Sequence, residues 1–211
     1  MTVPSALRTT TWAGALLAVA AAGPLISAEV GVIPLDHGAA LPLNGTVPTV
    51  LWGFAQLAAF AVIALGMPQL VGGSRVGRIA LLVLGARDLG LLLVGLLLPD
   101  EPVEPAWPVV VDGAAWLLLL AAGAVAAAAV LRTRVLPAPA RVAVVAVAVL
   151  EAAMFLLSFI PLPLPAEAYI LLAEPVWALQ QLLLLLLGLA LLLHGRRDAL
   201  RHRWQVIRDA W

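Results

Sequence analysis

An all-α, polytopic membrane bundle of six transmembrane helices is the fold this sequence predicts, and three observations predict it. Of 211 residues, 64% are hydrophobic and only 11% are charged, where a soluble domain carries about 45–50% and about 25%. Mean hydropathy is +1.08. Stretches of about 20 mostly apolar residues, the length that crosses roughly 30 Å of hydrocarbon, recur six times between breakers and charges.

The spans are expected at about 12–28, 50–70, 79–98, 113–131, 142–160 and 175–193. The first follows Arg8 and runs through an alanine-rich stretch interrupted by Gly23-Pro24. It is long for the apolar core of a signal peptide and is expected to be retained. Asp36, Pro42, Asn44, Gly45 and Pro48 mark the connection to the second span. Gly72, Gly73, Ser74, Arg75 and Arg78 mark the next. The run from Pro99 to Pro105 closes span three, and Pro161, Pro163, Pro165 and Glu167 follow span five. Arg132, Arg134, Pro137, Pro139 and Arg141 lie between spans four and five. Proline ends helices at such places because it lacks an N–H and clashes with the preceding turn. No connection is long enough for a soluble domain, so residues 1–211 form one transmembrane domain with a basic tail over 194–211.

Composition removes whole function classes. Formal net charge is zero, so bulk charge gives no argument for nucleic-acid binding. Cysteine is absent, which excludes disulfides, thiolate metal sites and cysteine nucleophiles. His37 lies in a loop while His194 and His202 lie in the tail, so no metal site and no bis-histidine haem is expected, nor any other cofactor. Every basic residue is Arg and none is Lys, which reads as the codon bias of a GC-rich bacterial genome and rules out a Schiff-base lysine. No phosphate loop, nucleophile elbow or HExxH motif occurs.

Charge asymmetry orients the bundle. Every arginine except Arg87 falls at the chain ends or in connections two and four. Connections one, three and five, with their helix ends, hold acids and no arginine, from Glu29 and Asp36 to Glu167 and Glu174. Basic residues stay on the cytoplasmic side, so both termini are expected in the cytoplasm of a bacterial cell, with six spans in its membrane. Trp52, Trp107, Trp116 and Trp177 fall toward the outer boundary and Trp12, Trp204 and Trp211 toward the inner one, as an aromatic belt requires. In the tail, Leu200, Trp204, Ile207 and Trp211 share about one face. This predicts a short amphipathic helix lying on the anionic inner leaflet.

The spans pair as three hairpins, and the second and third correspond in detail. Arg78 and Arg141 open spans three and five, and ten residues later stand Asp88 and Glu151. Each span ends in proline, and the return spans begin Asp112…Trp116 and Glu174…Trp177. Such offsets are expected of an internal duplication.

Arg87, Asp88 and Glu151 are the charged residues within spans, where charge is costly and faces the bundle interior. At 1.5 Å per residue, Arg87 and Asp88 lie about 13 Å above the inner boundary and Glu151 about 14–15 Å. Gln56, Gln180 and Gln181 follow at roughly 18–21 Å by the same rise. Arg87 and Asp88 point about 100° apart and make a poor pair within one helix, so Arg87 is expected to bridge to Glu151 or, by the alternative, to meet Asp88 of another subunit or through water and leave Glu151 as the odd acid. One carboxyl is then left over, and a protonatable acid inside a membrane is the feature that resembles chemistry. The same polar groups also serve as interhelical glue in lipid. Phe54, Phe60, Phe155 and Phe159 have the spacing of packing residues, and Trp116 and Trp177 the positions of interface anchors.

Ser27-Ala28-Glu29 after span one, Leu51-Trp52-Gly53-Phe54 opening span two, and Val94 to Asp100 closing span three resemble the bacterial six-span proteins catalogued as domain of unknown function 998. The likeness covers about residues 12–193. Where that family has a histidine shortly before span four, this chain has Val111-Asp112-Gly113. The resemblance implies the six-span fold and no settled activity.

Three functions compete. The first is binding of a small lipidic or amphiphilic ligand in an outward-opening cavity above the Arg/Asp/Glu layer, with Gln56, Arg87, Trp116, Phe155, Trp177, Gln180 and Gln181 lining it. The second is a membrane-embedded terpene cyclase of isoprenoid substrates, with Asp88 and Glu151 as catalytic acids and aromatic faces stabilising the carbocation. The third is proton-coupled transport, for which a chain this small calls for a homo-oligomer and for which the spans lack interruptions apart from Gly23-Pro24.

Overall fold

The computed structural model describes residues 5–30, 32–34, 40–42, 45–67, 73–97, 107–136, 138–159 and 166–209. Seven helices account for almost all of them: α1 (Ser5–Val30), α2 (Thr46–Gly66), α3 (Arg75–Gly85), α4 (Arg87–Leu97), α5 (Trp107–Thr133), α6 (Ala138–Phe159) and α7 (Ala166–Asp209). Between α1 and α2, strands β1 (Val32–Pro34) and β2 (Ala40–Pro42) pair antiparallel, with Ile33 opposite Leu41. Five helices are long and apolar enough to cross a membrane, and α3 with α4 supply a sixth crossing if the bent pair is one span.

Each helix packs on its sequence neighbour, and α7 returns to pack along α1, so the rods close into a ring. The core that this buries is rich in alanine, with Ala13, Ala21, Ala59, Ala126 and Ala140 among its members. Large apolar side chains such as Leu93, Leu117 and Leu186 face outward. Small residues inside and long ones outside are what a lipid environment selects, since helices there gain from close packing rather than from leaving water. At the α1–α7 seam the two backbones approach closely. A Cβ on Gly14 would stand 2.5 Å from the Leu192 nitrogen, and one on Gly188 would stand 2.6 Å from the Ala18 nitrogen. Only glycine permits that approach.

Three sequence expectations change. Span three is not continuous: it breaks at Ala86, and α3 and α4 meet at 59°. No proline stands there. Gly85 lets α3 press onto α2, where a Cβ would lie 2.6 Å from Phe60 Cβ and 3.3 Å from Leu57 Cα. Beyond it, Arg87 and Asp88 form the first turn of a new helix, a place that suits an acid by the helix dipole. The polar tail is not a separate helix, because α7 runs unbroken through Asp209. Its 44 residues span about 66 Å at 1.5 Å per residue, roughly twice a bilayer core. The correspondence of hairpins two and three also stops short of the backbone, since α6 is unbroken where the α3–α4 rod is bent.

Several expectations fall outside the described residues: those on Asp36, Asn44, Gly72, Pro137, the Pro99–Pro105 run, the Pro161–Pro165 loop and Trp211, and on the side chains of Arg8, Glu29, Trp107, Phe159, Glu167 and the tail from Arg197 onward.

Candidate functional site

The break at Ala86 aims Arg87 into the ring. Helix ends leave backbone groups without intrahelical partners, and here Gln56 on α2 donates from Nε2 to the Leu84 carbonyl, at 3.3 Å. Gly53, one turn earlier on α2, admits the Leu89 side chain where its own Cβ would be. These two α2 residues seat the junction and fix the level of Arg87.

Arg87 Nε lies 3.1 Å from Glu151 Oε1 on α6, and Nη1 lies 3.7 Å from Asp88 Oδ1. The first is an ion contact without hydrogen-bond alignment, because Nε has no such partner. Gln180 on α7 donates from Nε2 to the same Glu151 oxygen at 2.5 Å. The expected Arg87–Glu151 bridge is therefore present. Asp88 is not left wholly without a counter-ion, because starting a helix at Arg87 brings the neighbouring side chains within ion-pair range. Gln180 joins Glu151 directly, and Gln56 meets the α3–α4 junction at the Leu84 carbonyl.

Burial divides the cluster. Arg87 is 6% exposed and Glu151 1%, whereas the Asp88 side chain is 23% exposed. Asp88 opens on a cavity of about 490 Å³ between the end of α1, the start of α2, α4 and α7. Its walls include Pro24, Ser27, Trp52, Leu91, Leu92 and Trp177, and its floor Arg87, Asp88 and Gln181. Trp52 reaches it because Gly23 has no side chain; a Cβ there would meet the indole at 2.4 Å. Three lining residues carry buried polar atoms without hydrogen-bond partners, Arg87 Nη1, Trp52 Nε1 and Gln181 Oε1, and Glu151 Oε2 lies behind them. Buried polar groups ordinarily have partners, so these residues hold unused hydrogen-bonding capacity. A second, apolar recess of about 350 Å³ between α4 and α5 also reaches Arg87, past Ala86, Gly90 and Leu119.

Of the nine residues the sequence singles out, the structure brings Arg87, Asp88, Trp177 and Gln181 to the cavity. Glu151 and Gln180 stand behind that floor, Gln56 supports it, and Trp116 and Phe155 are not in its lining. Trp116 is buried among the helices. Trp52, Ser27 and Thr49 line the cavity and are not among the expected site residues. Among the described residues no group of three histidines or acids could hold a metal ion. No family model matches the chain, nor does any curated protein or solved structure.

Proposed function

We propose that this protein is a multi-pass protein of the bacterial cell membrane, both termini cytoplasmic, that binds a small lipidic or amphiphilic ligand in the cavity above Arg87 and Asp88. One observation carries the reading: an apolar-walled space of about 490 Å³ ends on buried polar atoms that lack partners. Ligand pockets of about 300–1,000 Å³ with mostly apolar walls and a few converging polar groups have this form. Apart from Arg87, the chain's arginines fall at the chain ends and in connections two and four, away from the cavity, which supports an outward opening. The test uses the chain in phosphatidylcholine nanodiscs, dialysed against 1-octanol, octylamine and octanoate, with empty nanodiscs as baseline. At least one binds saturably near one per chain, and Ala28→Trp, which fills the cavity, removes that binding. Absence of saturable binding by all three contradicts the reading.

A second reading, transport coupled to a proton or cation, is favoured by the break at Ala86. Interrupted spans mark many transporter sites, and recesses lie on both sides of α4 at Arg87. It predicts that proteoliposomes move the bound amphiphile under a pH gradient; unchanged distribution contradicts it. The cyclase reading has less support, since Glu151 is enclosed by Arg87 and Gln180 and does not line the cavity.

A further inference from the structure

With both carboxyls ionised, charge at the cavity floor does not balance. Arg87 is one cation between two acids, and it stands closer to Glu151, at 3.1 Å, than to Asp88, at 3.7 Å. Glu151 takes the better contact and is the more deeply buried, so the negative charge in excess resides at Asp88, the acid that meets the cavity. An uncompensated charge in a low-dielectric interior is costly, and an opposite charge is strongly favoured beside it.

The other groups at that floor suit the same partner. Gln181 is 1% exposed, lines the cavity, and holds an amide oxygen that accepts no hydrogen bond. Trp52 and Trp177 line the same space, and indole faces attract cations, more strongly where water is excluded. Leu91, Leu92 and Pro24 supply apolar wall for a chain. The unpartnered donors, Arg87 Nη1 and Trp52 Nε1, can serve a neutral oxygen next to the charged group. They do not make an anion site, because an anion would add to an already negative cluster.

Resting on the amphiphile reading above, we propose that the headgroup bound at this floor is an N–H-bearing ammonium, so that the ligand is a cationic amphiphile held by Asp88 and Gln181 between the two indoles. The test compares the eight-carbon series in the same nanodiscs at low ionic strength. Octylamine binds at least about tenfold more tightly than 1-octanol, a difference of about 1.4 kcal/mol, and octanoate more weakly than either. Asp88→Asn brings octylamine down to the level of 1-octanol, and Asp88→Glu retains the preference. If 1-octanol or octanoate binds as tightly as octylamine, the cationic headgroup is wrong and the amphiphile site stands. If none binds, both fall. Should Asp88→Asn not fold, the octylamine-to-octanol ratio in the unaltered protein decides the matter alone.

Discussion

Arg87 on α4 and Glu151 on α6 meet at 3.1 Å with both side chains almost wholly removed from solvent. Removing one partner of a buried pair leaves a bare charge and costs about 3–5 kcal/mol, whereas replacing both with apolar residues is often near neutral. Arg87→Leu, which leaves Glu151 and Asp88 without their shared cation, is therefore expected to destabilise the protein by about that much in mixed-micelle unfolding titrations. Glu151→Leu leaves Arg87 beside Asp88 and costs less. An Arg87→Leu variant no less stable than Glu151→Leu contradicts the pairing.

The α1–α7 seam makes a sharper packing prediction. Gly188→Leu forces side-chain atoms into the Ala18 backbone, and overpacking of this kind costs about 1–3 kcal/mol. Gly90 and Gly95 on α4 have open space where a Cβ would stand, with no neighbouring atom within 4 Å. Gly90→Ala and Gly95→Ala should then stabilise by about 0.5–1 kcal/mol, because alanine loses less backbone freedom in a helix. The same unfolding titration ranks them, and equal effects at Gly188 and Gly95 contradict the seam.

Orientation can be read directly because the chain has no cysteine. Thr46→Cys and Arg75→Cys place single thiols at exposed positions at opposite ends of α2 and α3. A membrane-impermeant maleimide added to intact cells is expected to label Thr46→Cys alone. Labelling of Arg75→Cys alone inverts the topology.

Gly23 is expected to control the cavity wall. Gly23→Ala drives a methyl into the Trp52 ring, so the indole must move. Octylamine affinity should fall by about fivefold, close to 1 kcal/mol, with little change in helix content by circular dichroism. Unchanged affinity would show that Trp52 is not part of the site.

Much of this architecture was legible in the residues. Span positions followed from apolar length, and the Arg87–Glu151 bridge followed from depth, because rise per residue is fixed in a helix. The break at Ala86 was not legible. Hydropathy is blind to direction, and Gly85-Ala86 carries no proline to mark a stop; what bends the rod is the close approach of Gly85 to Phe60 and Leu57, a tertiary contact. The unbroken α7 was missed for the opposite reason. The change from apolar to arginine-rich sequence near His194 looks like an end, yet nothing in it interrupts helical hydrogen bonding. Trp52 escaped notice because a tryptophan near a span end is ordinarily an interface anchor, and only its partner Gly23, on another helix, turns it inward.

The most direct test of the cavity is photo-crosslinking with an eight-carbon alkylamine carrying a diazirine at its far end, followed by peptide mapping of the chain in nanodiscs. Adducts are expected on Ser27, Ala28, Leu91 and Leu92, and an excess of octylamine should suppress them. Adducts confined to the outward apolar faces, such as Val142 and Val149 on α6, and insensitive to octylamine, would contradict a ligand site above Arg87 and Asp88.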